Sequence, residues 1–225
     1  MTNNHVTTRL AAVQAAIAGA AKSAGRAAGE VTLVAISKVH GEARILPALE
    51  AGHRVFGENR VQEAAAKWPA LKDRFADIEL HLVGPLQTNK VKQALDLFDV
   101  IETLDRPKLA RSLATEMARR DRQTPCYIQI NTGEETQKAG VMPGEAAAFI
   151  ALCRDELALP MVGLMCIPPI DEEPALHFAL LAEIAKRHGV EFLSMGMSAD
   201  FETAVALGAS HVRIGTSIFG ERPPK

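Results

Sequence analysis

The sequence predicts an α/β fold, a single (β/α)8 TIM-type barrel with one extra helix ahead of its first strand. Three observations predict it. Short apolar, β-branched runs alternate with helical patterns from Val31 to Ile214, the signature of parallel strands joined by helical crossovers. Eight such runs fit within 225 residues, close to the span such a barrel needs. No low-complexity linker or composition shift divides the chain, so residues 1–225 read as one domain. The competing arrangement is an open sheet with fewer strands, because the runs at 53–56 and 100–102 are short.

Residues 6–28 form an alanine-rich amphipathic helix, with Leu10, Val13 and Ile17 spaced i, i+3, i+7 toward a core. The run 31–38 is a buried strand that stops at a polar pair before Gly41. Helix 42–51 then leads to strand 53–56, helix 61–75 to strand 78–83, and helix 89–98 to strand 100–102. Helix 107–120 leads to strand 126–130 and helix 144–156 to strand 161–165. Helix 174–188 leads to strand 191–193, and helix 199–207 to strand 211–214. The helical segments carry the charge, as a solvated outer ring should.

Composition removes several function classes. A net charge of −2 gives no general attraction to nucleic acid or acidic membranes, and 4% aromatics is too few for a base-stacking surface. Cys126, Cys153 and Cys166 are odd in number and widely spaced, which is neither a disulfide framework nor a zinc site. The N-terminus lacks the basic start and apolar stretch of a signal peptide, and no apolar run is long enough to span a bilayer. A reducing, cytoplasmic setting is expected.

In such a barrel, function sits where the strands end and the βα loops begin. Lys38 closes the first strand. It is either a solvated residue past a strand end or a partly desolvated amine suited to imine formation. The loops after strands seven and eight read Ser194-Met-Gly-Met-Ser198 and Gly215-Thr-Ser-Ile-Phe-Gly220. Barrels habitually bind phosphate there, on backbone N–H groups and glycines, and Ser198 and Thr216 add hydroxyls. Alternatively Ser198 caps its helix, with Asp200 and Glu202 satisfying the dipole. Arg213 shares a face with Gly215 by strand alternation. It points inward to a ligand or partner, or outward to a salt bridge, and the two readings are even. Asn59 with Gln62 matches a capping box and needs no ligand.

His81 in the third strand reads as a hydrogen-bonded core residue before a ligand. Gln87, Asn89 and Asn131 are polar groups at the mouth, and Lys138 lies in a charged, solvated loop. No nucleophile elbow, metalloprotease helix or Walker loop occurs. An amine, an arginine and a phosphate cradle remain at one mouth. That set suits an aldehyde-bearing phosphate compound, either pyridoxal 5′-phosphate (PLP) or an imine-forming phosphosugar.

Several segments together carry a family resemblance. They are Leu33-Val-Ala-Ile-Ser-Lys38, Phe56-Gly-Glu-Asn-Arg-Val-Gln-Glu63 and His81-Leu-Val-Gly-Pro-Leu-Gln-Thr-Asn-Lys90. Gly163-Leu-Met165, Leu193-Ser-Met-Gly-Met-Ser198 and Val212-Arg-Ile-Gly-Thr-Ser-Ile-Phe-Gly220 follow in the same order. The chain resembles the pyridoxal phosphate homeostasis proteins (the YggS/PROSC family) over nearly its whole length. The resemblance implies a fold-type III barrel like the N-terminal domain of alanine racemase. It implies PLP held as a Schiff base on Lys38, with the phosphate at Ser198, Gly215 and Thr216 and Arg213 near the pyridine nitrogen. Asn59 and Met197 would line the pocket, and Lys138 matches a family lysine. His40 stands where many members have a second lysine, which puts any transfer role of that position in doubt.

The function implied is a carrier that buffers PLP in vitamin B6 and amino-acid homeostasis, without established catalytic activity. Apoenzymes that use PLP are its candidate partners, and no nucleic acid or membrane is. A small racemase is the alternative, with His81 or Lys138 as its second base, and a phosphosugar enzyme without PLP is a third reading. Alanine racemases take that second base from a tyrosine on a C-terminal β-domain. No such domain is expected, since the sequence ends just past the eighth strand, and the single tyrosine, Tyr127, starts the fifth strand, at the wrong end of the barrel. Without a dimerising domain, a monomer is expected.

Overall fold

A computed structural model describes residues 3–221. Eight parallel strands close into one barrel in sequence order. They are β1 Thr32–Ile36, β2 Val55–Glu58, β3 Glu79–Leu82, β4 Val100–Leu104, β5 Cys126–Ile130, β6 Met161–Cys166, β7 Phe192–Ser194 and β8 His211–Ile214. Closure comes from β8 pairing with β1, Leu33 against Val212 and Ala35 against Ile214. The open-sheet alternative is thereby excluded.

Helix α1 spans Asn3–Ser23 and packs on α2 (Glu42–Glu50), α8 (Phe201–Ala206) and α9 (Thr216–Phe219). The other helices are α3 Val61–Arg74, α4 Val91–Leu97, α5 Pro107–Arg120, α6 Ala146–Ala151 and α7 Pro174–His188. Among the described residues, no helix is long and apolar enough to cross a membrane.

Alternation divides each strand between two environments. Leu33, Ala35, Leu80, Leu82, Ile128, Val212 and Ile214 join the apolar layer between sheet and helices. Val34, Ile36 and Val83 form one small cluster, and Val100, Tyr127 and Met165 another. Two glycines make room for inward bulk. A Cβ at Gly57 would lie 2.5 Å from Ile36 Cδ1, and one at Gly163 would lie 2.3 Å from the Tyr127 ring.

Four expectations shift. The first helix ends at Ser23, not residue 28, because Gly25 turns left-handed (φ 71°) and Arg26 N–H donates to Ala21 O at 2.8 Å. The second strand runs two residues later than 53–56, since its register pairs Val55 with Glu79 and Glu58 with Leu82. Glu58 is thus a buried strand residue and not part of a loop. The fourth strand extends to Leu104. The helix expected at 144–156 is a composite, α6 followed by a π-helical turn at Leu152–Glu156.

Candidate functional site

One cavity of about 330 Å³ opens at the C-terminal ends of the strands. Lys38, Asn59, Met197, Ser198, Arg213, Gly215 and Thr216 all line it, whereas Gln87, Asn89 and Asn131, also read as polar groups at the mouth, do not. Val39, His40, Ile167, Ala199 and Gly220 complete its rim, with Ile36 and Val83 also in its wall. Val39, Ile167 and Ala199 were missed because nothing in the type of an apolar or small residue separates a rim from a core, and His40 was noted only through the family resemblance.

The loop after β7 is shaped by Gly196. Its φ is 92°, and a Cβ there would lie 2.5 Å from Ala204 Cβ. Its carbonyl accepts from Arg213 N–H at 2.9 Å, tying this loop to β8. Neither capping expectation holds. Helix α8 begins at Phe201 with Asp200 as its N-cap, so Ser198 caps nothing. The Asp200 carboxylate turns back to accept from Met197 N–H at 2.5 Å. Helix α3 likewise begins after Arg60, and no side chain caps it, so the Asn59–Gln62 capping box does not form. Both residues are left to the cavity side of their turns. Gly215 precedes α9 where the chain passes closest to β1, since a Cβ there would lie 2.9 Å from Ile36 O.

Arg213 takes the inward reading. It is buried, donating from Nη1 to Ser194 Oγ at 2.7 Å and from Nη2 to Cys166 O at 2.7 Å. Ser194 Oγ donates to Glu102 Oε2 at 2.5 Å, and Glu102 Oε1 meets His81 Nδ1 at 2.6 Å. His81 Nε2 in turn meets Glu79 Oε1, exposed at the far end of the barrel, at 2.7 Å. Charges alternate along this chain from the cavity to the opposite mouth.

Burial alone would raise the Glu102 carboxyl, but the His81 hydrogen bond and the His81 and Arg213 charges outweigh it and hold it near 2. Burial would likewise lower His81, yet the two glutamates raise it to about 9. Both are therefore ionised at neutral pH. His81 is the hydrogen-bonded core residue expected. Beside it His211 is lowered to about 4, chiefly by burial, and stays neutral. Tyr127 Oη reaches the His211 ring at 3.3 Å, at the end away from the cavity.

A second buried ionic group lies outside the barrel, beneath the Lys38 loop. Glu58 Oε1 accepts from Ser37 Oγ at 2.5 Å and from Trp68 Nε1 at 3.1 Å, and pairs with Lys67 Nζ at 2.8 Å. Burial raises the Glu58 carboxyl, with Lys67 opposing. His40, on the cavity rim, is lowered by burial and by the Arg44 and Lys67 charges. Lys138 is paired with Glu135 at 2.5 Å and, like His81, does not line the cavity.

Comparison with known proteins places this geometry. The profile described as alanine racemase, N-terminal domain, matches residues 9–223. The pyridoxal phosphate homeostasis protein of Escherichia coli K12 is 35% identical, with 97% of each chain covered. That of Pseudomonas aeruginosa is 38% identical, covering 95% of this chain and 94% of its own. The chain belongs to the pyridoxal phosphate homeostasis protein family. Among solved structures, PipY of Synechococcus elongatus with PLP bound has a TM-score of 0.80 at 34% identity, covering 96% of this chain and all of that one. The alanine racemase of Clostridium difficile superposes with a TM-score of 0.73 at 13% identity, covering 99% of this chain and 58% of that one. That last likeness speaks for the shared barrel alone.

Proposed function

We propose that this family member binds PLP in the cavity and acts as a carrier that buffers it, serving vitamin B6 and amino-acid balance. One observation carries the reading. Lys38, Arg213 and the two loops at Ser198 and Gly215-Thr216 converge on one cavity of about 330 Å³, in a family named for this cofactor. The residues present fit the group. The backbone at Gly215 is bare where a side chain would collide with β1, and a hydroxyl on each side suits a phosphate. When bound, PLP supplies an aldehyde that forms a reversible imine with an amine, and Lys38 is the lysine on the cavity wall.

Each residue then has a task. Ser198, Gly215 and Thr216 hold the phosphate, and Asn59 and Met197 pack beside the ring. Arg213 would face the pyridine nitrogen, its guanidinium oriented by Ser194, which in turn donates to Glu102. A guanidinium there would disfavour a proton on the ring nitrogen, which weakens electron withdrawal and favours holding the cofactor over transforming a bound amino acid. The bases considered for a racemase, His81 and Lys138, lie off the cavity in ion pairs of their own. We therefore read the protein as a non-enzymatic, cytoplasmic monomer whose recipients are PLP-dependent apoenzymes.

The test is the visible spectrum of purified protein after adding PLP. A yellow band, fixed by borohydride on Lys38 and absent in Lys38→Ala, is the expected result. No band in wild type would sink the reading, and a band that survives in Lys38→Ala would move the anchor to another lysine. Sustained amino-acid turnover abolished by Lys38→Ala would replace the carrier with an enzyme.

A further inference from the structure

The turn that carries Lys38 has an unusual shape. His40 N–H donates to Ser37 O at 3.2 Å, closing four residues with Lys38 second and Val39 third. Val39 has φ of 64°. Glycine normally takes that place, and a β-branched side chain there is strained. Strain of this kind persists only where the surroundings impose it.

The surroundings here are two side chains of α3. Lys67 is 7% exposed, and its ammonium donates to Ser37 O at 3.0 Å and His40 O at 2.9 Å, the carbonyls at both ends of the turn. It is held in place by Glu58 Oε1 at 2.8 Å and Glu63 Oε1 at 3.2 Å. The same Glu63 oxygen accepts from Val39 N–H at 2.5 Å. Ser37 is fixed further by its N–H to Gly57 O at 3.1 Å and its hydroxyl to Glu58. Backbone atoms on both sides of Lys38 are therefore clamped to one buried cation and its counter-ions. A solvated surface lysine would supply none of this order, and bulk packing alone would be met by an apolar side chain.

We infer that Lys67 is a positioning residue for Lys38: with Glu63 it holds the Ser37–His40 turn in its strained shape and so presents the Lys38 amine to the cavity. The inference rests on the PLP binding proposed above. Imine formation joins the Lys38 nitrogen to the aldehyde carbon and releases the aldehyde oxygen as water. Its favourability depends on where the amine is held, whereas Ser198, Gly215, Thr216, Asn59, Met197 and Arg213, the residues assigned above to phosphate and ring, lie outside this turn.

The experiment separates those contributions with two ligands. PLP forms the imine, while pyridoxine 5′-phosphate, an alcohol at the same carbon, cannot. Affinities of both are measured for the full-length wild type, Lys67→Met and Glu63→Gln. The expected result is a loss of at least tenfold in PLP affinity for Lys67→Met, a smaller loss for Glu63→Gln, and pyridoxine 5′-phosphate affinity within twofold of wild type for both. Growth of the visible band after mixing should slow in the same order. Should Lys67→Met fail to fold, the double variant Glu58→Gln with Lys67→Met, which leaves no unpaired buried charge, replaces it. Unchanged PLP affinity overturns the inference, and so does an equal loss for both ligands, since a merely structural role weakens them together. A wild type that binds pyridoxine 5′-phosphate but forms no band with PLP overturns the cofactor reading and this inference with it. A wild-type band combined with equal losses overturns the inference alone.

Discussion

The two buried ionic groups of this barrel use the same chemistry to different ends. Inside the barrel, Glu102 has a partner at each oxygen, His81 on one and Ser194 on the other, and its carboxyl sits near 2. Outside it, Glu58 crowds three partners on Oε1 while Oε2, also buried, has no hydrogen-bond partner among the described residues. Its carboxyl is raised, not lowered. The difference teaches that burial does not by itself set the sign of a carboxylate's shift: His81 and Arg213 outweigh it at Glu102, while Lys67, Ser37 and Trp68 do not at Glu58. The inner group steadies a side chain, Arg213. The outer one steadies backbone, the turn around Lys38.

Removing each carboxylate's charge is the sharpest way to break this comparison. Glu102→Gln leaves His81 and Arg213 without their shared counter-ion. It should lower unfolding stability by about 3–5 kcal/mol, read by chemical denaturation at neutral pH. Glu58→Gln should cost no more than about 1 kcal/mol, because Glu63 still pairs with Lys67 and the replaced group was penalised by its own burial. Equal losses at the two sites would erase the distinction.

The pH dependence sharpens the same contrast. Glu102 is lowered from 4.5 to about 2, so its contribution is present above the ordinary value and is lost as pH falls toward 2. His81 is raised from 6.5 to about 9, so its contribution is full below 6.5 and lost as pH rises through 9. Glu58 is raised, so the fold carries more protons there than the unfolded chain does, and stability falls as pH rises above 4.5. Glu102→Gln should therefore show its greatest deficit between these limits, with the gap to wild type closing toward pH 2. Glu58→Gln should gain on wild type as pH rises from 4.5. A gap with the same slope in both variants would contradict the assignment.

Smaller effects test the two places where backbone geometry sets the mouth and the interior. Gly163→Ala puts a Cβ 2.3 Å from the Tyr127 ring and 2.6 Å from Phe192 O. It should cost about 1–3 kcal/mol through overpacking, seen as a lower Tm. Val39→Gly removes a strained φ on an exposed residue. Relief of strain is partly offset by the entropy of glycine, so stability should rise by at most about 1 kcal/mol. A loss on that substitution would mean that the Val39 side chain itself, on the cavity rim, is needed for the turn.

Much of this architecture was legible in the residues. Period-two apolar runs with helical spacers announced the barrel, and Arg213 between Val212 and Ile214 placed its face correctly while leaving the direction open. The seven residues named for the site all line the cavity, because loops after strands are where this fold exposes backbone N–H groups, while its apolar rim residues went unnoticed. What stayed hidden were partnerships across long sequence separation. Nothing local tells that Glu102 reaches Ser194, 92 positions away, or that Lys67, on a helix that reads as solvated, is buried against the turn at Lys38. Local signals also misled. The Asn59–Gln62 pattern mimics a cap, but the N-cap position falls one residue further on, at Arg60.

Helix α1 has one further consequence, for the order of events during synthesis. Its apolar stripe, Val6, Leu10, Val13 and Ile17, belongs to the core, and the helix packs on α2, α8 and α9. Just beyond it, Arg26 donates to Val205 O at 2.9 Å and Ala209 O at 2.8 Å. Helix α1, made well before α8 and α9, therefore cannot dock fully until they have followed, because its seat includes both. For that interval a greasy stripe travels uncovered, which is when a nascent chain is open to chaperone capture or aggregation. A helix made early thus waits for elements made late to complete its place.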